Sequence, residues 1–212
     1  MNALSYMAGF FKGGGPFMFV ILGAAVLILA IVLERFWIIG RAGMLNSGKF
    51  LKDLIGYVSK GDLNQAAALS RKIKSPAGRV AFAIVSTNAQ DEDTLNNAAD
   101  GAAMVILPGL SKRLPHLSML ANVATLLGLL GTIFGLTTAF SAVGAADPSQ
   151  RSAFLAAGIS QALNTTAFGL MVAVPAMIAH AFLVGKVEAI VGQVDEVTVR
   201  LVRVMTGKTE NF

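Results

Sequence analysis

Three long stretches without an Asp, Glu, Lys or Arg dominate the chain, at residues 17–33, 117–143 and 154–184, and His180 is the one ionisable group inside them. About 20 apolar residues in a helix cross the roughly 30 Å hydrocarbon core, so each stretch is long enough to span a bilayer. The second and third exceed that length, which predicts tilted helices or helices that project into water. The pattern predicts an all-α membrane protein with three transmembrane helices, the long second and third extending into a cytoplasmic helical layer. The remaining segments are then an N-terminal arm (1–16), a helical region (34–116), a short loop (144–153) and a C-terminal helix (185–212). Lys12 is the only cation before the first stretch, GGGP at 13–16 punctuates its entry, and Glu34 and Arg35 close it as a membrane boundary does. The stretch is therefore read as a retained span and not as a cleaved leader.

Between the first and second spans the pattern turns amphipathic. Residues 44–59 and 62–74 read as two short helices joined at Gly61, with Asp62 and Gln65 placed as an N-cap and its partner three residues on. SPAG at 75–78 breaks the pattern, and a further helix is expected over 78–88. Asp91, Glu92 and Asp93 sit where a helix N-terminus favours negative charge, and the helix they open runs through Ala102 and Ile106 towards Pro108. In the tail, Val187, Ile190, Val191, Val194, Val197, Leu201 and Val204 recur at spacings of three and four. This predicts an amphipathic helix that continues the third span, and its apolar stripe needs a partner surface. Two partners fit, singly or together: the helices of 44–107 and a second copy of the chain.

The second span reads ANVATLLGLLGTIFGLTTAF over 121–140. Thr125, Gly128, Thr132, Gly135 and Ala139 recur at three- and four-residue spacing, which draws one stripe of small and hydroxylated side chains. The third span repeats the device with Gly158, Ala162, Thr166, Gly169, Ala173 and Ala176, beside which stand Gln161, Asn164 and Thr165. Small residues let backbones approach closely, so Gly128, Gly131, Gly135, Gly158 and Gly169 are the expected helix-packing positions. Packing does not require Asn164, Thr165 and Thr166 in succession. An interhelical hydrogen bond in a membrane contributes only about 0.6 kcal/mol on average, so stability is a weak reason to keep so many polar groups. A hydrated path or a site for a polar partner is the stronger one.

No Asp, Glu, Lys or Arg lies within the three spans. A hydroxyl passes a hydrogen bond along but does not hold a proton at accessible pH. If protons cross, the titrating carboxylate must come from another chain. His180 lies near the cytoplasmic end of its span and is read as an interface residue.

Charge then sets orientation. Of the 17 Lys and Arg, eleven lie in 34–116 and four in 185–212, against Lys12 and Arg151 on the other side. The positive-inside rule makes the 34–116 segment and the C-terminus cytoplasmic and turns the N-terminus outward. The net charge of +5 thus reports topology, and no basic cluster interleaved with aromatics points to nucleic acid. A 55% hydrophobic content with 14% charged residues and a mean hydropathy of +0.67 agrees with a membrane protein. The absence of cysteine excludes disulfides and thiolate metal sites, and His116 and His180 are too far apart in sequence to suggest a metal centre. No nucleophile–base pair points to an enzyme, and three spans offer no inverted repeat of the transporter kind. No cofactor is expected.

LLGLLGTIFGL at 126–136 with AF at 139–140, followed by GISQALNTTAFGLMVAVPA at 158–176, resembles the MotA/TolQ/ExbB proton-channel family, in its three-span ExbB/TolQ branch. The resemblance implies a ring of five such subunits around a pair of single-span ExbD/TolR-type helices, each carrying a transmembrane aspartate. Ion flow (protons, or sodium in place of protons) would drive the inner pair against the ring and do work on a periplasmic or outer-membrane client. The family's pore threonines fall on Thr132 and Thr166, with Thr165, Gln161, Thr125 and Asn164 beside them as further candidates for the path. Two departures from the family pattern stand out: Thr125 where a proline is common, and Gln161 where a glutamate is common. The second shifts ion binding towards the partner chain. The rival expectation is a structural membrane scaffold whose small-residue faces only pack.

Overall fold

A computed structural model describes residues 9–11, 13–43 and 47–207. Among the described residues the regular structure is entirely helical. Eight helices are described: α1 (Pro16–Ala42), α2 (Ser47–Ser59), α3 (Leu63–Lys72), α4 (Pro76–Ser86), α5 (Glu92–Ile106), α6 (Pro108–Ser111), α7 (Leu114–Ala145) and α8 (Arg151–Met205). Of these, α1, α7 and α8 carry stretches long and apolar enough to cross a membrane. By contact the chain divides into two units, Met1–Leu33 with Arg113–Ala181 and Glu34–Lys112 with Phe182–Phe212.

In the first unit, α1 buries Met18, Ile21, Ala24 and Ile28, one helical stripe, while Phe19, Val20, Val26, Leu29 and Leu33 stay more than half exposed. An apolar residue loses nothing by facing lipid, so exposure of these side chains is what a spanning helix calls for. Phe17 meets Phe134 of α7 edge-on, with ring centroids 5.4 Å apart. Helix α7 buries Leu117, Ala121, Ala124, Gly128, Gly131, Gly135 and Ala139. Opposite them α8 buries Gly158, Ala162, Thr165, Gly169, Ala173 and Ala176.

The second unit has a conventional apolar core. Phe50, Leu51, Leu54 and Val58 of α2, Val80, Ala81, Ile84 and Val85 of α4, and Leu95 and Ala99 of α5 close around Ala66 of α3. Val194, Val197, Leu201 and Val202 from the end of α8 complete it. The apolar stripe of the tail thus has its partner in the helical layer of the same chain, the first of the two surfaces considered for it. Val187 and Val191 are half-buried. They line a groove of about 420 Å³ with Ala103, Met104 and Leu107.

Caps set the helix starts. The Asp62 carboxylate accepts from the Gln65 backbone N–H at 3.1 Å, so α3 starts at Leu63. Asp91 accepts from Thr94 N–H at 3.0 Å and opens α5, with Glu92 and Asp93 in its first turn. SPAG starts a helix instead of separating two: Ser75 Oγ accepts from Gly78 N–H at 3.3 Å and Pro76 takes the first helical position, where its missing N–H costs nothing. Helix α4 therefore begins two residues before the expected 78, and it ends at Ser86, ahead of the left-handed Asn88 (φ 53°). The beginning of the helix expected over 44–59 lies outside the described residues. Glu34 and Arg35 leave α1 uninterrupted, and it continues to Ala42. Arg35 is almost completely buried and donates to the Gly109 carbonyl at 3.0 Å and to Glu34 at 3.2 Å, which lets a guanidinium stay on the helix without facing solvent.

Candidate functional site on the second and third spans

The small-residue faces of α7 and α8 meet at backbone distance. A Cβ on Gly128 would lie 3.3 Å from the Thr166 Cα and 3.4 Å from the Gly169 Cα. One on Gly169 would lie 2.7 Å from the Ala124 carbonyl oxygen, and one on Gly135 would lie 3.0 Å from the Ala162 nitrogen. At Gly131 it would collide with the Thr165 methyl, and at Gly158 with the Ala139 Cβ. Backbone atoms cannot move aside as side-chain ends do, so Gly135, Gly158 and Gly169 in particular need glycine for this approach, whereas Gly131 makes room for the Thr165 side chain.

The contact line on α7 runs through Ala121, Ala124, Gly128, Gly131, Gly135 and Ala139, and departs by one position at two places from the stripe of small and hydroxylated residues marked in the sequence. Gly128, Gly135 and Ala139 belong to both lines. Gly131, one of the expected packing positions, stands in the contact together with Ala124, and Thr132 and Thr125 lie one position beside them. Thr125 is exposed and Thr132 half-buried at the edge. On α8 the fully buried threonine is Thr165, while Thr166 is half-buried. Spacings of three and four fit either line, and the closest approach selects the residues with the least side chain.

The hydroxyls differ in what they bond. Thr166 Oγ1 donates across the interface to the Gly128 carbonyl at 2.9 Å. Thr132 Oγ1 donates to the Leu129 carbonyl of its own helix, and Thr125 Oγ1 to Ala121 at 3.2 Å. Thr165 Oγ1 lies 2.6 Å from the Gly14 carbonyl and 2.8 Å from that of Gln161. Its single proton is shared between an arm acceptor and a helix acceptor. Each of these oxygens keeps acceptor capacity after donating, so Thr125, Thr132 and Thr166, which are not fully buried, are able to order water or accept a further hydrogen bond.

Gln161 and Asn164 are half-buried and turn towards the glycines of the arm. The Asn164 Nδ2 lies 3.4 Å from the Cβ site of Gly13. Thr125 opens instead into a groove of about 540 Å³ on the other side, lined by Asn122, Leu126, Leu170, Ala173, Val174 and Met177. Asn122 is a polar residue of the second span that the small-residue spacing does not mark. The structure therefore brings Thr132, Thr165 and Thr166 to or beside the α7–α8 contact and leaves Thr125 apart from them. Gly14 and Phe168 also belong to this region, and GGGP at 13–16 was the one sequence signal for the former. Among the described residues no cluster of His, Asp or Glu is able to hold a metal ion.

Residues 69–196, more than half of the chain, match the model of the MotA/TolQ/ExbB proton channel family. The chain is 23% identical over 189 residues to a protein named as an ExbB biopolymer transport homologue in Methanothermobacter thermautotrophicus, covering 89% of this chain and 66% of that one. It is 37% identical over 106 residues to the Tol-Pal system protein TolQ of Haemophilus influenzae, 48% of this chain and 46% of the relative. It is 38% identical over 78 residues to the biopolymer transport protein ExbB of Aquifex aeolicus, 37% and 52% of the two chains. The chain thus spans about half to two thirds of the length of these relatives. With three apolar helices long enough to span and a match that takes in both threonine-bearing spans, this membrane protein belongs to the MotA/TolQ/ExbB proton channel family.

Proposed function

We propose that the chain is the ring-forming stator subunit of an ion-driven motor in the bacterial inner membrane, with its N-terminus in the periplasm and its C-terminus in the cytoplasm. Copies of it, five in the scheme that the family resemblance implies, house a pair of ExbD/TolR-like single-span helices and surrounding lipid. Protons, or sodium, move past the aspartate of each inner helix. The work reaches a periplasmic or outer-membrane client, in TonB-type transport, a Tol-Pal system or gliding motility. The reading uses no cofactor and no enzymatic step.

One observation carries it. Two close-packed spans present hydroxyls and amides but no Asp, Glu, Lys or Arg, so a titrating acid has to be supplied from outside. Thr132 and Thr166 are the hydroxyls assigned to the path, and Gln161, Asn164, Thr165 and Thr125 extend its polar wall. A neutral wall suits the task, because a cationic one would hold the partner aspartate fast. A proton crossing 100 mV releases about 2.3 kcal/mol, enough to bias a step between near-equivalent positions on a ring. Exposed Met104 and Val105 on α5 offer apolar surface for a neighbouring copy.

The test is ion flux and client work with Thr166→Val and Thr132→Val in the complex assembled with its single-span partner. Both are expected to assemble, with Thr166→Val abolishing output and Thr132→Val reducing it. Full activity in both overturns the assignment. The backbone-distance contact of α7 with α8 favours the second reading, a scaffold whose faces only pack. Stable purification of a complete assembly without any acid-bearing single-span partner supports that alternative.

A further inference from the structure

Gln161, Asn164, Thr165 and Phe168 occupy positions i, i+3, i+4 and i+7 of α8 and so form one stripe. Only Thr165 belongs also to the line that meets α7. The rest of the stripe is met by the described part of the N-terminal arm, residues 9–11 and 13–15. Phe10 and Phe11 set their rings edge-on to Phe168, with centroids 6.3 Å and 5.1 Å apart. The Gly13 Cβ site lies 3.4 Å from the Asn164 amide nitrogen. The fully buried Thr165 hydroxyl donates to the Gly14 carbonyl at 2.6 Å. At Gly15 any Cβ would collide with the Gln161 amide, and its φ of +71° is one that only glycine adopts without strain. Just beyond the arm, in the first turn of α1, stands Met18, wholly buried, whose thioether fills the space a Cβ on Gly14 would need.

These contacts answer a specific need. The Thr165 hydroxyl gains a backbone acceptor in Gly14, and the Gln161 and Asn164 amides are covered by the glycines beside them instead of facing hydrocarbon, where a bare polar group is costly. The GGG turn brings bare backbone, the one apposed surface thin and polar enough to reach all three residues at once. Aromatic rings then cover the apolar end of the stripe.

We propose that the arm is a built-in stopper: its described residues, 9–11 and 13–15, seat on Gln161, Asn164, Thr165 and Phe168 and keep this polar stripe closed to water. The seat stands on the contacts alone. Its consequence for leakage rests on the ion-path reading above, so the two are measured separately.

Because the chain has no cysteine, Asn164→Cys places a single thiol beneath the stopper. In proteoliposomes of the full chain, that thiol is expected to resist a membrane-impermeant maleimide. Adding Gly15→Val or Thr165→Val should raise its labelling rate about ten-fold, the change expected from losing roughly one net hydrogen bond of docking. Gly23→Val, at a site with nothing within 4 Å, should leave the thiol protected. Equal labelling with the native and the altered arm overturns the proposal. If the altered arms fail to fold, Gly13→Cys with Asn164→Cys decides: cross-linking on mild oxidation supports the seat, and its absence overturns it. Ion leak is then recorded on the same variants. Fast labelling without leak keeps the stopper and removes the stripe from the ion path.

Discussion

The Thr166 hydroxyl donates to the Gly128 carbonyl at 2.9 Å, across an interface where a Cβ on Gly128 would lie 3.3 Å from the Thr166 Cα. Hydroxyl and glycine form one unit: the bond exists because the glycine admits the backbone of α8, and it fixes which way the threonine points. A Thr166→Ser variant keeps the donor and should retain ion flux, whereas Thr166→Val, with the same shape but no donor, should not. The pair of variants separates hydrogen bonding from packing in one flux assay.

Gly169→Val should loosen α7 from α8, because its Cβ would sit 2.7 Å from the Ala124 carbonyl oxygen and 3.0 Å from the Gly128 Cα. Overpacking against backbone is expected to cost about 1–3 kcal/mol. Thermal unfolding in detergent should show a lower midpoint, while Gly144→Val, at a site with open surroundings, leaves it unchanged.

Arg35→Met should destabilise the second unit although it adds apolar surface. The Gly109 carbonyl would lose its donor, at a cost of about 1 kcal/mol, the net contribution of a typical hydrogen bond, since Gly109 itself is exposed. Protease digestion of the folded protein should then cut faster around residues 107–112. A cleavage rate equal to that of the parent would rule out a structural role for this contact.

Ser75→Ala and Asp91→Ala remove the side-chain caps of α4 and α5. Each should lower stability by about 1 kcal/mol, and because the caps share no partner the double variant should show the sum. Denaturant titration followed by circular dichroism reads both.

Val197→Asp places a charge in the core of the second unit, where Val197 is 1% exposed. The end of α8 should detach from α2–α5 and become protease-sensitive, whereas Val199→Asp, at a half-exposed position, should leave it resistant.

Much of this architecture is readable from local rules. Uncharged length marks 17–33, 117–143 and 154–184, and Asp62 and Asp91 cap the helices their spacing suggests, because a cap acts within one turn. Ser75 was readable in the same way, but proline in SPAG carries two meanings, breaker and first helical residue. Only the chain's path chose between them.

By itself the sequence determined that three helices span, that two carry small and hydroxylated residues, and that no Asp, Glu, Lys or Arg lies among them. Length, composition and spacing are properties of one segment at a time. Tertiary structure alone decided that Ala124 and not Thr125 meets α8, that Thr165 turns to Gly14 while Thr166 turns to Gly128, and that the tail finds its partner within its own chain. Helical periodicity tolerates lines one residue apart, and only a neighbouring backbone at contact distance distinguishes a methyl group from a larger side chain.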